Sequence, residues 1–276
     1  MLLFFALLAA VGCAGFNGVA AVLEKIGAGK EETATSSHPG LLWRLRGNAP
    51  YLAGVGLDLL AWVLTLFAVH NLTLFLVQPI IACSVLVTLL IEHYFFGRRF
   101  SNKFVYSAGA ILVGLVLLAS VSTPERAVSI AHGLRLWIIL LPLAIAAIGS
   151  VVAAVQDKYA TFILAGLSGV AFGGVSIAGR AIVFSHPYAH ILTNYLVWAI
   201  VGYGLCGILF FTIALQRASA SAVNATMIAC ETLFPIIMGL VFLGDHPTHK
   251  LWLVVIIGIV CTFSGTIFIA MHSDKN

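Results

Sequence analysis

The chain has 276 residues, of which 61% are hydrophobic and only 9% are charged. Soluble globular domains carry about 45–50% apolar and about 25% charged residues, so a soluble enzyme, a secreted disulfide domain and a nucleic-acid-binding protein are excluded. The net charge of +4 is therefore informative mainly through its distribution along the chain. We expect an all-α polytopic membrane protein that is not an enzyme, has no cofactor or metal, and binds no nucleic acid.

Apolar runs long enough to cross a membrane occur nine times. A helix needs about 20 mainly apolar residues to cross a hydrocarbon core of about 30 Å. Segments with turn-forming and charged residues separate the runs. The predicted spans, in chain order, are 2–24, 50–70, 73–96, 104–121, 134–155, 160–180, 191–213, 222–243 and 251–271.

The first span begins like a signal peptide, but we expect it to be retained. It lacks a positively charged start, and its apolar run continues through Cys13 to Leu23. All five cysteines fall inside predicted spans, so their positions indicate neither a disulfide framework nor a metal site.

Lys and Arg are distributed unequally between the two sides of the predicted membrane. With the N-terminus outside, four basic residues fall on the outer side and ten on the inner side. Because cytoplasmic loops are enriched in Lys and Arg, this bias predicts a cytoplasmic-membrane protein with its N-terminus outside and its C-terminus inside. The ten inner residues are Lys25, Lys30, Arg44, Arg46, Arg98, Arg99, Lys103, Lys158, Arg217 and Lys275.

Two parts of the sequence match each other in order. Ile81-Ala82-Cys83 recurs 147 residues later as Ile228-Ala229-Cys230, and Gly12 pairs with Gly169 at an offset of 157. Spans 1–4 therefore match spans 6–9, and the fifth span has no counterpart. We expect a first four-helix repeat at 1–121, a connecting fifth helix at 122–158 and a second repeat at 159–276.

The unpaired fifth helix has a consequence for the orientation of the repeats. One helix between two four-helix units reverses the second unit in the membrane. Inverted repeats are typical of secondary transporters, which place the substrate site near the membrane midplane and alternate its access between the two sides. The repeat therefore favours a transporter over other membrane proteins.

The same segments resemble a known family. The stretch from Leu57 to Ser120, with Pro79, the turn FFGRRFS and the span AGAILVGLVLL, resembles the drug/metabolite transporter superfamily. The second copy, from Gly207 to Ala270 with LGDHPTH at its turn, is similar. The nine spans and the long basic loop after the first resemble the NIPA-type magnesium transporter branch more than the ten-span EamA type. At the turn the family carries an acid, where this chain has Arg98 in the first copy and Asp245 in the second.

Two carboxylates lie deep inside predicted spans. Asp58 is eight residues into the second span and Glu231 nine residues into the eighth. Ionisable residues at such depth are costly unless they face protein or water, so they mark functional sites by default. We expect a pair that binds protons or cations, with helix-joining hydrogen bonds as the structural alternative. Charged residues at span ends are instead expected to extend to the interface: Glu24, Lys25, Glu92, Asp157 and Arg180.

Other residues complete the predicted site. Trp62 follows Asp58 by four residues and therefore lies on the same helical face, where its ring suits a cationic substrate; the alternative is a ring that only faces lipid or fills packing space. Pro79 and Pro235 lie inside spans and are candidate hinges, or simple packing kinks. The remaining candidates for substrate binding or coupling are Asn17, Gln78, Asn224 and Arg180.

Glycines are concentrated in two corresponding spans. Small residues let membrane helices approach each other closely, so we expect these positions to form packing seams rather than ligand contacts. They are Gly12, Gly15 and Gly18 in the first span and Gly166, Gly169, Gly173 and Gly174 in the sixth.

The sequence therefore predicts a transporter that moves a small polar or cationic metabolite by alternating access coupled to protons. One alternative is a NIPA-like Mg²⁺ transporter, since Mg²⁺ needs one or two carboxylates and retains water. Another is a flippase for a lipid-linked sugar or polyprenyl phosphate, with Arg180 and the Arg98/Arg99 pair as its basic residues. The non-transport alternative is a membrane scaffold or accessory subunit. Expected partners are the substrate and membrane lipid, and a homodimer is an open alternative to a monomer.

Overall fold

The computed structural model describes residues 2–29, 45–71, 80–81, 83–97, 99–121, 132–181, 195–238 and 251–272. Within these ranges the chain forms nine α-helices and no strand. The expected all-α class is therefore confirmed. The helices are α1 Leu2–Ala28, α2 Ala49–Asn71, α3 Ser84–Phe96, α4 Asn102–Val121, α5 His132–Ala154, α6 Lys158–Ala181, α7 Tyr195–Arg217, α8 Ala220–Met238 and α9 Trp252–His272.

Each helix overlaps one predicted span. In the third, predicted to begin at residue 73, residues 80–81 are helical and α3 begins at Ser84 after a turn at Cys83, while the predicted start lies outside the described residues. At its other end α3 stops at Gly97, which has a positive φ of 63°. Glycine adopts this left-handed conformation without a steric penalty, so it is well suited to end the helix.

By length and composition, five helical segments are long and apolar enough to cross a membrane. Shorter apolar stretches occur in the other four helices. Many large apolar side chains face outward, for example Phe95 at 82% exposed and Val151 at 71%. Helices in lipid carry such outward apolar faces, so the surface supports a membrane protein. The five segments are Phe4–Ala28, Trp137–Ala154, Lys158–Ala178, Tyr195–Arg217 and Ala220–Met238.

The most extensive packing involves four pairs of helices: α1 with α2, α4 with α9, α6 with α7, and α6 with α8. Helix α1 also packs on α3, and α3 on α8. Helix α5 packs on α6 and α7. The main core lies where α1, α5, α6, α7 and α8 meet, around side chains such as Tyr203, Phe210 and Leu164.

Hydrogen bonds between helix ends place several of them on one face of the bundle. The end of α1 contacts the end of α7, where the Gln216 amide donates to the Ala28 carbonyl at 3.0 Å. The end of α7 contacts the end of α5, where Arg217 donates to the carbonyls of Ala153 and Val155 at 2.6 and 2.9 Å. We call this end of the bundle the basic face, after Lys25, Arg46, Arg99, Lys103, Lys158 and Arg217, which lie at or beside these helix ends and the short turns that follow them.

The glycine seams are confirmed at most predicted positions. A Cβ at Gly18 would be 2.6 Å from Val87 Cβ, and a Cβ at Gly173 would be 2.9 Å from Pro235 Cδ. Gly169 and Gly174 likewise face atoms of α8 and α7. Gly15 differs, because nothing lies within 4 Å of the position its Cβ would take.

The α4–α9 pair has a seam that was not predicted. A Cβ added at Gly114 would collide with Thr262 Oγ1 and lie 2.7 Å from the Gly258 carbonyl oxygen. On the other helix, a Cβ at Gly265 would lie 2.7 Å from the Ser107 carbonyl oxygen. The two backbones therefore touch along this pair.

We expect Gly114→Ala to lower the free energy of unfolding by about 1–3 kcal/mol, because the added methyl group meets backbone that has no room to move. Gly109→Ala in the same helix is the matched control, since its Cβ would meet nothing within 4 Å. It should leave the stability unchanged or raise it by up to about 1 kcal/mol. Unfolding by SDS titration in mixed micelles measures both variants, and equal effects would contradict the seam.

Candidate substrate and coupling site

Three carboxyl groups, from three helices, are brought together inside the bundle. Asp58 of α2 forms a side-chain hydrogen bond with Glu24 of α1. Glu231 of α8 lies close enough to Asp58 for their charges to interact. We call these three residues the carboxyl cluster. It combines the two acids predicted as a pair with a third that was not.

Glu24 corrects a prediction. As a residue near the end of a span it was expected to extend to the interface, but it is only 3% exposed. Its stem passes over Gly54, where an added Cβ would be 2.6 Å from Glu24 Cγ. Asp58 lies one helical turn beyond Gly54, so the missing side chain at Gly54 lets the Glu24 carboxyl reach it.

Glu231 is positioned by the seam between α6 and α8. A Cβ at Gly169 would be 2.9 Å from the Glu231 backbone nitrogen, and one at Gly173 would be 3.0 Å from its carbonyl oxygen. Two glycines thus allow α6 to lie against the backbone of this residue. Among the residues that the structure describes, the Glu231 carboxyl group has no hydrogen-bond partner. It is therefore available to a bound ligand.

The hydrogen bond between Glu24 and Asp58 has a chemical requirement. An ionised carboxylate can only accept hydrogen bonds, so one of these two groups must carry a proton to donate. Across the described part of the chain, the electrostatic partners of the cluster are its own carboxyl groups, and no Lys or Arg is among them. The arrangement can hold a proton, a cation or both.

Polar side chains line the cluster on α1 and α2. Cys13 lies near both Asp58 and Glu231, and its Sγ is 3.0 Å from Thr65 Oγ1. Asn17 donates from Nδ2 to the Cys13 Sγ at 3.6 Å, so this predicted site residue lies one turn from the same sulfur. The site therefore continues from the carboxyl groups along the inner side of α1.

Tyr51 connects this region to the second half of the chain. Its charge environment includes Glu24 and Asp58. Its hydroxyl lies 2.8 Å from Thr212 Oγ1 of α7, a contact that is fully buried. Tyr51 therefore joins α2 to α7 beside the cluster.

Two predicted site residues have other surroundings. The Asn224 amide is buried and donates to Thr88 Oγ1 at 3.1 Å, which joins α8 to α3. Trp62 is 58% exposed, so most of its ring has no protein neighbour. The structure gives Asn224 a helix-joining contact and places Trp62 largely at the bundle surface.

The remaining predicted residues are only partly described. Pro235 lies inside the continuous helix α8 and packs near Gly173. Arg180 lies near the end of α6, and its side chain is outside the described part. Gln78 and Pro79 also fall outside the described residues. Across the described ranges, no group of three or more His, Cys, Asp or Glu side chains is arranged to hold a metal ion.

Glu24 supports a direct test of the cluster. We expect Glu24→Leu to lower the free energy of unfolding by about 1–3 kcal/mol, because it leaves the Asp58 carboxyl without its buried partner. Glu24→Gln should be tolerated better, since its amide can donate to Asp58. SDS-induced unfolding of both variants measures the difference. Equal stability of Gln and Leu variants would mean that the hydrogen bond has no role.

Comparisons of the chain with protein-family models, with curated proteins and with solved structures gave no match.

Proposed function

We propose that the protein is a secondary transporter that moves a small polar or cationic metabolite across the cytoplasmic membrane and couples this movement to protons. The observation that carries the proposal is the carboxyl cluster. It places the buried Glu24 and the partly buried Asp58 and Glu231 near one another, with a hydrogen bond between Glu24 and Asp58, and the electrostatic partners of the three carboxyl groups include no Lys or Arg of the described residues. Burial of ionisable groups in a membrane bundle is costly and is expected where ions or protons move.

The packing of the helices supports alternating access. In the proposed repeat, helices α1 to α4 correspond in order to helices α6 to α9. The α1–α2 pair then corresponds to α6–α7, and the α1–α3 pair to α6–α8, and the two helices of each of these four pairs pack together. The same correspondence leaves the α4–α9 and α3–α8 pairs unchanged. Helix α5, which the repeat leaves unpaired, packs on α6 and α7 of one half. This pattern is the one that two inverted repeats of four helices would produce.

The cluster also connects the two proposed repeats. Glu24 and Asp58 belong to the first, and Glu231 belongs to the second. A substrate bound between them would contact both halves, so a relative movement of the halves would change its access to each side. A site between the two halves is consistent with the proposed membership in the drug/metabolite transporter superfamily. Because Lys and Arg are enriched on the cytoplasmic side of membrane proteins, the basic face would be the cytoplasmic one.

We expect Glu231→Gln to lower uptake driven by a pH gradient at least about tenfold, since a lost contact to a charged group costs about 1.5–3 kcal/mol. The assay uses proteoliposomes with an inward or outward proton gradient. The probes are radiolabelled choline, putrescine, lysine and carnitine, which sample cations and zwitterions. Protein-free liposomes give the background.

The matched control is Asp157→Asn, which neutralises an exposed carboxylate at the start of α6. Asp157 Oδ1 accepts the Lys158 backbone N–H at 2.7 Å, and asparagine caps a helix equally well. This variant should retain uptake. Full activity of Glu231→Gln would refute the coupling role, and absence of gradient-dependent uptake of every probe would favour a scaffold.

Mg²⁺ is the second candidate substrate, because this ion uses one or two carboxylates and retains water, and Asp58 and Glu231 could supply those two. The same liposomes loaded with a Mg²⁺-sensitive dye separate the two possibilities. A dye response to external Mg²⁺ that is lost in Glu231→Gln, together with no uptake of the organic probes, would identify Mg²⁺ as the substrate. The flippase alternative depends on Arg180 and the Arg98/Arg99 pair. The side chains of Arg180 and Arg98 lie outside the described part, and Arg99 is exposed at the basic face.

A further inference from the structure

The turn between α7 and α8 is held on one side by a lysine of the first half. Lys25 Nζ donates to the Leu215 carbonyl at 2.6 Å and to the Ala218 carbonyl at 2.5 Å. These carbonyls belong to the end of α7, which has no further turn to bond them. A cation is favoured there because the C-terminal end of a helix carries a partial negative charge.

The same turn is held on its other side by a glutamate of the first half. Glu92 is 5% exposed, and its Oε1 accepts the Ala220 backbone N–H at 2.9 Å. Its Oε2 accepts the Ser221 backbone N–H at 3.3 Å and the Ser221 hydroxyl. A carboxylate is favoured there because the N-terminal end of α8 carries a partial positive charge. Glu92 was expected at the interface, and the structure instead buries it as a helix cap.

Lys25 and Glu92 therefore hold one turn of the second half between two elements of the first. We call these two residues the clamp. The ends of α1 and α3 supply it, and the end of α7 and the start of α8 receive it. Uncharged contacts join the same two halves nearby: Gln216 with Ala28, Tyr51 with Thr212, and Asn224 with Thr88.

The clamp lies at the basic face, on the path from that face to Asp58 and Glu231. Asp58 is nine residues from the start of α2 and Glu231 eleven residues from the start of α8, or about 14 and 17 Å along their helices. Helices α1 and α3 on one side and α7 and α8 on the other would have to separate to open a path between the halves from this face. The clamp opposes that separation.

We propose that the clamp is the gate that closes the basic face over the carboxyl cluster, and that it releases when the site opens to that face. The proposal rests on the proposed transport function. The sequence repeat makes the gate one-sided, because the residues that correspond to Lys25 and Glu92 in the second half are Ile182 and Gly239. The clamp therefore stabilises the state closed at the basic face over its counterpart.

Labelling of Cys13 tests the gate without a substrate. Cys13 is fully buried and lies near Asp58 and Glu231, so a reagent that reaches it reports access to the cluster. The other four cysteines are replaced by Ser or Ala, and a membrane-impermeant maleimide is added on the basic-face side of oriented vesicles. We expect Lys25→Gln and Glu92→Gln each to raise the labelling rate about tenfold or more, because each loses charged hydrogen bonds.

Arg217→Gln is the matched control. It also removes a cation that caps a helix end on the basic face, and this cation donates to the Ala153 and Val155 carbonyls at the end of α5. Its labelling rate should stay at the parent value. Unchanged labelling in both clamp variants, or an equal rise in Arg217→Gln, would overturn the gate.

A cross-link keeps the gate testable if the clamp variants fold poorly. Ala28→Cys with Gln216→Cys, joined by a short bifunctional methanethiosulfonate, holds the ends of α1 and α7 together. The cross-link should suppress Cys13 labelling from the basic-face side, and reduction should restore it. Persistent labelling would overturn the gate. Uptake is measured in parallel. Absent uptake with the expected Cys13 labelling would refute the proposed function and not the gate, and normal uptake without the expected Cys13 labelling would refute the gate and not the proposed function.

Discussion

A polar group inside a membrane must find its partner within the protein, because lipid offers no hydrogen bonds. This constraint explains the contacts of the described helices. Lys25 caps the end of α7 and Glu92 caps the start of α8, so these charged side chains bond backbone groups that would otherwise have no hydrogen-bond partner. Asp58 and Glu24 satisfy each other. The Glu231 carboxyl group has no such partner in the described part of the chain, and neither has the buried Ser84 hydroxyl. Of these two, Glu231 is the ionisable one, which makes it the strongest candidate for ligand contact.

The backbone and the charges follow different rules in this protein. Helix pairs correspond between the two proposed halves, and glycine seams at Gly18 and at Gly169 and Gly173 let α1 and α6 approach their neighbours in the same manner. The charged residues do not correspond. The clamp and two of the three cluster carboxyls come from the first half. The two proposed repeats would thus share a backbone arrangement, whereas the proposed site and gate take most of their charged residues from the first.

The sequence could predict the helices and the deep acids, because apolar length and depth within a span are local properties. Asp58 and Glu231 were identified for that reason. The position of Glu24 could not be predicted, since a carboxylate four residues from a helix end can extend outward or turn inward. Gly54 decides between these, and its contact with Glu24 is known only once α1 and α2 are packed.

Glu92 and Trp62 illustrate the same limit. The partners of Glu92 lie about 130 residues further along the chain, so no local pattern marks it as a cap. The four-residue spacing puts Trp62 on roughly the same side of the helix as Asp58. Four residues are slightly more than one turn, so the two side chains differ in direction by about 40°, which is enough to place one in a contact and the other at the surface. Spacing along a helix predicts direction, and packing decides burial.

The placement of both clamp charges in one half has a consequence for how a carrier of this kind would be measured. If the state closed at the basic face is favoured, the site is open to that side for only a small fraction of the time. Apparent affinity falls in proportion to the fraction of molecules that can bind. Substrate presented at the basic face would then show a higher KM than substrate presented at the opposite face, even though the binding residues are the same. The direction of net transport would still be set by the gradients, since an unequal partition between two states changes rates and not the overall equilibrium.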